Sequence, residues 1–67
     1  MAIARVTEIT AGSKKGFEDA VEKGINRAGK TLKNVTGAWV QEMKVEVAKG
    51  KITEYRVTMR VTFVLKD

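Results

Sequence analysis

Tyr55-Arg56-Val57-Thr58-Met59-Arg60-Val61-Thr62-Phe63-Val64-Leu65 decides the fold. Tyr55, Val57, Met59, Val61, Phe63 and Leu65 alternate with Arg56, Thr58, Arg60, Thr62 and Val64, and Glu54 extends the second set by one residue. A period of two, rich in β-branched and aromatic residues, is a half-buried strand. One of its faces has to pack against another element.

Working back from it, Lys51 starts this strand and Ala48-Lys49-Gly50 interrupts the chain. With Lys49-Gly50 at the turn, Gly50 supplies the positive φ that tight hairpins need. The run Thr36–Val47 then becomes the partner strand. This turn sets Trp39 opposite Arg60, Val40 opposite Met59, Gln41 opposite Thr58 and Met43 opposite Arg56. In that register the face away from the Tyr55–Leu65 row carries Trp39, Met43, Val45, Val47 and Ile52 beside Gln41, Glu54, Arg56, Thr58 and Arg60. Glu42 and Glu46 fall on the other face.

Upstream the period changes. Phe17, Val21, Ile25, Ala28 and Leu32 follow at spacings of 4, 4, 3 and 4, one face of an α-helix over Lys14 to Leu32. Ala20, Gly24 and Ala28 form a row of small residues beside them. Glycine inside a helix costs about 1 kcal/mol against alanine, so Gly24 points to close approach of a sheet or a second helix. Acidic residues come early (Glu18, Asp19, Glu22) and basic ones late (Arg27, Lys30, Lys33), which suits the helix dipole. Lys33-Asn34 ends the helix. Ala2–Thr10 reads as a first strand and Ala11-Gly12-Ser13 as a break, with Ser13 placed to cap the helix. Gly16 stands where a capping box needs Glu or Gln. The order is β-α-β-β, an α+β layer in a single domain over residues 1–67.

Composition narrows the function. Sixty-seven residues carry 13 Lys+Arg, 8 Asp+Glu and no His, Cys or Pro. Without His and Cys there are no disulfides, no thiolate or imidazole metal sites and no Ser-His or Cys-His nucleophile pairs. The expectation is a protein that is not an enzyme and holds no metal. A domain this small buries only about 60% of its unfolded surface, so association with further copies is the remaining means of stabilisation. Aromatic and apolar residues on a face the helix does not cover point the same way, and a flat aromatic ligand could stack there. No apolar run of roughly 7–15 residues opens the chain and none of about 18 follows, so neither a signal peptide nor a membrane span is expected, and the default location is cytoplasmic.

A net charge of +5 permits nucleic acid as a partner. The basic residues of the helix lack the interleaved aromatics that single-strand binders use, and a solvated helix face accounts for them better. Ala11-Gly12-Ser13-Lys14-Lys15-Gly16 lacks the G-x-x-x-x-G-K-S/T spacing of a phosphate loop.

The element order, the length and the tail Tyr55–Leu65 together resemble the dodecins, as do Val6-Thr7-Glu8-Ile9, the Ser13 helix start and Arg27-Ala28-Gly29-Lys30-Thr31. The resemblance spans nearly the whole chain. It implies a hollow homododecamer in which each helix is partly wrapped by a three-stranded antiparallel sheet. It also implies storage or sequestration of a flavin (riboflavin, FMN or FAD) stacked between tryptophans at subunit interfaces. Flavin-binding dodecins open the second strand with Trp-Phe-Glu-Val or Trp-Ala-Glu-Val, whereas the ungapped match here is Gly37-Ala38-Trp39-Val40. The stacking position is thus Gly37, Trp39 falls on the family's Glu, and the Gln that bonds the flavin ring falls on Arg56. Trp39 keeps the strand parity of Gly37 but is displaced along it by roughly 6–7 Å. The resemblance therefore makes Trp39 the aromatic platform, with Gly37, Gln41, Arg56 and Arg60 as its surroundings. A cage that has lost flavin and holds another small ligand or ion is the alternative.

Overall fold

The computed structural model describes residues 3–65. β1 runs Ile3–Ser13, α1 Phe17–Thr31, β2 Val35–Ala48 and β3 Lys51–Leu65. The three strands form an antiparallel sheet in the order β1-β3-β2, so the strand with the clearest alternation is the central one. Ala2, expected to open the first strand, lies outside the described residues.

The helix-side face of β3 supplies most of the core. Val57, Met59 and Val61 are its fully buried large side chains, Tyr55 and Phe63 are half-buried, and Leu65 is exposed. Against them α1 presents its small row: Ala20, Gly24 and Ala28 are the buried residues of the helix. Phe17, Val21 and Ile25, expected to be the main contact, flank this seam and are only partly buried. A Cβ on Gly24 would lie 2.6 Å from Met59 Cε and 3.1 Å from Ala11 Cβ. The glycine is what lets the helix axis come so close to the strands.

The helix lies over β1 and β3 and barely reaches β2. Fifteen helical residues extend about 22 Å, while the sheet gives the protein a long dimension of 51 Å. Sheet therefore overhangs helix at both ends and along β2.

Three sequence expectations are corrected at the helix start. β1 continues through Ala11-Gly12-Ser13, because these residues pair with Val57, Arg56 and Tyr55 in register. The helix opens at Phe17, the first residue of the apolar period, with Gly16 as its N-cap, three residues later than the expected start at Lys14. Ser13 is no cap. Buried at the strand end, it donates from Oγ to Asp19 Oδ2 (2.5 Å) and accepts from the Lys15 backbone N–H (2.9 Å). The loop is tied to the first helical turn through a side-chain pair.

The hairpin turn has Lys49 (φ 53) and Gly50 (φ 77) both left-handed, the conformation of a type I′ turn. Trp39 opposite Arg60, Val40 opposite Met59 and, beside the turn, Val47 opposite Ile52 follow the expected register, but the stretch from Gln41 to Glu46 does not. Thr53 on β3 and Gln41 on β2 are each an extra residue, so Glu42 faces Thr58, Met43 faces Val57, Lys44 faces Arg56 and Glu46 faces Glu54. Thr53 Oγ1 donates to the Glu46 carbonyl at 3.2 Å beside the first irregularity. Between the two bulges every β2 side chain changes face relative to the expectation. Met43, Val45, Val47 and Ile52 belong to the helix side. Glu42 and Glu46, expected there, lie on the opposite face with Lys44.

Two outcomes test this packing. Gly24→Val should lower stability by about 2 kcal/mol despite its lower backbone entropy, because the new methyls collide with Met59 and Ala11; denaturant midpoints at matched protein concentration measure it. The Ser13 hydroxyl, and then Lys23, whose Nζ lies 3.2 Å from Oδ2, hold the Asp19 carboxyl below the usual aspartate range. A lowered carboxyl pKa contributes stability above the ordinary aspartate pKa and loses it as pH falls through the lowered value. Ser13→Ala should therefore raise the Asp19 pKa in a carbon-detected NMR titration. The stability margin of the native chain over the variant should shrink on acidification.

Candidate functional site

The corrected register separates two surfaces that the sequence had merged. On the helix side, Ala38, Val40, Met43, Val45, Val47 and Ile52 make a strip beside α1 that the helix does not reach. Met43 is 56% and Val47 59% exposed. The opposite face is mostly polar, with charged and hydroxyl residues from all three strands, and with Val6 in the row of Thr62 and Gly37 as an exposed apolar residue. Within it stands one large aromatic: Trp39, 73% exposed. Gly37 shares this face, opposite Thr62, so the parity read from the sequence holds.

The sheet arranges the surroundings of Trp39 in rows. Glu8, Arg60 and Trp39 form one row across β1, β3 and β2. Thr10, Thr58 and Glu42 form the next, where the two threonine hydroxyls are 3.3 Å apart. Gly12, Arg56 and Lys44 follow, then Glu54 and Glu46. A shallow pocket of about 300 Å³ opens between Thr10, Thr58, Glu42, Lys44 and Arg56. A larger concavity, about 540 Å³, lies on the helix side between α1 and β1, away from Trp39.

Of the residues named from the sequence, Gly37, Trp39, Arg56 and Arg60 are placed on this one face. Gln41 is displaced from the ladder at the bulge and no longer opposes Thr58. Glu8 and Thr10 of β1, and Glu42 and Lys44 of β2, join the face without having been named as part of the site. The antiparallel pairing of β1 with β3 would have signalled the first two. Nothing in the residue pattern marks the bulge that brings the others.

The cations divide into engaged and disengaged. Arg56 Nε lies 2.8 Å from Glu54 Oε1, and Lys44 Nζ lies 3.0 Å from Glu46 Oε2. These along-strand pairs relieve the like charges that the register sets opposite one another, Lys44 with Arg56 and Glu46 with Glu54. Arg60 has no ion pair among the described residues. Half-exposed pairs of this kind contribute about 1 kcal/mol or less, so Arg56→Ala should change the unfolding free energy by under about 1 kcal/mol, read by denaturant titration.

Among the described residues no group of three or more acidic side chains could hold a metal ion. No helix there is long and apolar enough to cross a membrane.

Known proteins place this architecture. The dodecin family model matches residues 3–66. A dodecin of Thermus thermophilus is 28% identical over 65 residues, covering 97% of this chain and 94% of the relative. Among solved structures, the dodecin from Streptomyces davaonensis superposes with a TM-score of 0.94 at 38% identity, over 98% of this chain and 97% of that one. The dodecin from Streptomyces coelicolor also reaches 0.94, at 26% identity over 98% and 94%. With a family model spanning nearly its full length and the same β-α-β-β layer, this chain belongs to the dodecin family.

Proposed function

We propose that this chain is a non-enzymatic, cytoplasmic ligand-binding protein. It assembles as a closed homododecamer and holds a flavin-type ligand (riboflavin, FMN or FAD) against Trp39 where subunits meet. The observation that carries this reading is the exposure of Trp39 on a polar sheet face. A 73% exposed indole standing among charges and threonines presents a flat, uncovered surface. Family membership supplies the ligand class: the flavin-binding pattern places a tryptophan two residues earlier on the same face, where this chain has Gly37.

The residues present fit a planar ring but alter its polar half. A ring stacked on Trp39 has Arg60 and Thr58 within reach, while Gln41 stands aside at the bulge and Arg56, on the family's ring-bonding Gln, is engaged by Glu54. Arginine offers donors only, where glutamine both donates and accepts. One subunit covers one side of such a ring, and the other side falls to a neighbouring copy.

Assembly is supported by a separate surface. The exposed helix-side strip Val40, Met43, Val47 and Ile52 is apolar, beside a core that among the described residues has only three fully buried large side chains. A second copy is the natural cover for it.

The engaged Arg56 and the vacated Gly37 favour one second reading, a dodecin cage that holds some other small ligand. Titration with riboflavin and with FMN separates the two, since the chain has a single tryptophan. Mutual quenching of flavin and Trp39 fluorescence, saturating at one flavin per subunit or fewer, is expected. Unquenched flavin at saturating protein contradicts the flavin reading. Trp39→Ala should weaken binding at least tenfold while leaving the particle mass unchanged; a monomeric variant would make Trp39 an assembly residue instead.

A further inference from the structure

The two cations of the Trp39 face that the chain has already neutralised are Arg56 and Lys44, held by Glu54 and Glu46 at 2.8 and 3.0 Å. Arg60 differs in both respects that matter for a ligand. It lies directly opposite Trp39 in the ladder, a relation that sets Cβ atoms about 4.5–5.5 Å apart. It is exposed and forms no ion pair among the described residues, although Glu8 is its neighbour on β1 and Glu42 lies one row away. A planar ligand resting on the indole therefore has at its edge a guanidinium that no carboxylate among the described residues holds in a direct ion pair. Its five fixed donors match a carboxylate or another ring-borne anion, and a charge-assisted bond of this kind is about twice as strong as a neutral one.

We propose that Arg60 makes the Trp39 site selective for planar aromatic ligands with negative charge on or directly beside the ring. Neutral rings such as riboflavin, and rings whose charge sits at the end of a long side chain as in FMN, bind the same platform more weakly. The geometry sets the preference: Arg60 is one cross-strand step from the indole. The next cations along the face, Arg56 and Lys44, where the phosphate of an extended chain would reach, are already bound to glutamates. This assignment rests on Trp39 being the ligand platform and goes beyond it by naming the charge the ligand carries and the residue that reads it.

Five probes test it, followed by Trp39 fluorescence and calorimetry on the assembled protein. They are lumiflavin, N10-carboxymethylflavin, FMN, 2-naphthoate and 2-naphthalenemethanol. The native chain should bind carboxymethylflavin about tenfold tighter than lumiflavin and naphthoate about tenfold tighter than the alcohol, with FMN gaining less over lumiflavin. Arg60→Gln should bring each ratio close to one, and Arg56→Gln should leave them intact. Charged and neutral probes binding equally, or a ratio that survives Arg60→Gln, overturns the role of Arg60 while leaving the platform standing. Naphthoate selectivity without flavin binding supports Arg60 and overturns only the flavin reading. Affinities unchanged in Trp39→Ala, or no binding by any probe, overturn the platform and the Arg60 assignment together.

Discussion

The contact between Gly24 and Met59 governs how this chain folds and what it leaves uncovered. A helix can come within methyl-contact distance of a sheet only where its side chains are short, and Ala20, Gly24 and Ala28 provide that line. Close approach buries Val57, Met59 and Val61 completely, but it does so beneath a helix less than half as long as the sheet. The core is therefore tight and small. The larger helix residues Phe17, Val21 and Ile25 are pushed to the flank, where Phe17 meets the edge of Tyr55 at a centroid distance of 5.2 Å. Overhanging strands with apolar residues on the helix side are the direct consequence. They are the surface that the proposed assembly would cover.

The two faces of the sheet serve different ends because of two bulges. Thr53 and Gln41 are inserted on opposite strands of the hairpin, so their effects cancel beyond Gln41. Between them they turn Met43, Val45 and Val47 toward the helix side and Glu42, Lys44 and Glu46 away from it. Without the bulges Trp39 would share its face with Met43, Val45, Val47 and Ile52, and the proposed ligand site and the proposed assembly surface would be the same patch. With them, the indole stands among charges of which Arg56 and Lys44 are paired with glutamates, while Arg60, Glu8 and Glu42, the nearest to it, form no ion pair among the described residues.

Much of this was legible in the residues. Strict alternation from Tyr55 to Leu65 identified the strand that proves to be central, and Gly24 in a row of small residues announced the close helix contact. The Trp39–Arg60 and Val40–Met59 pairs were found from the Lys49-Gly50 turn only because the two bulges compensate; Gln41 and Met43, between them, were misplaced. A bulge here is a backbone irregularity that ordinary strand residues accommodate, so composition does not reveal it. Ser13 was read as a cap because serine before a helical period usually is one. Its hydroxyl instead reaches Asp19, within the first helical turn, through a pairing that depends on β1 running on to Ser13. The site was visible as residue types, and its division into engaged and free cations was not.

The central claim is that the helix-side strip beside β2 makes this subunit incomplete by itself. Sedimentation velocity of the purified protein at low micromolar concentration tests that most directly. The account predicts a single species near 89 kDa, twelve subunits of 7.4 kDa each, with no folded monomer in equilibrium beside it. A well-folded particle of 7.4 kDa that persists at that concentration, with native circular dichroism, would contradict it.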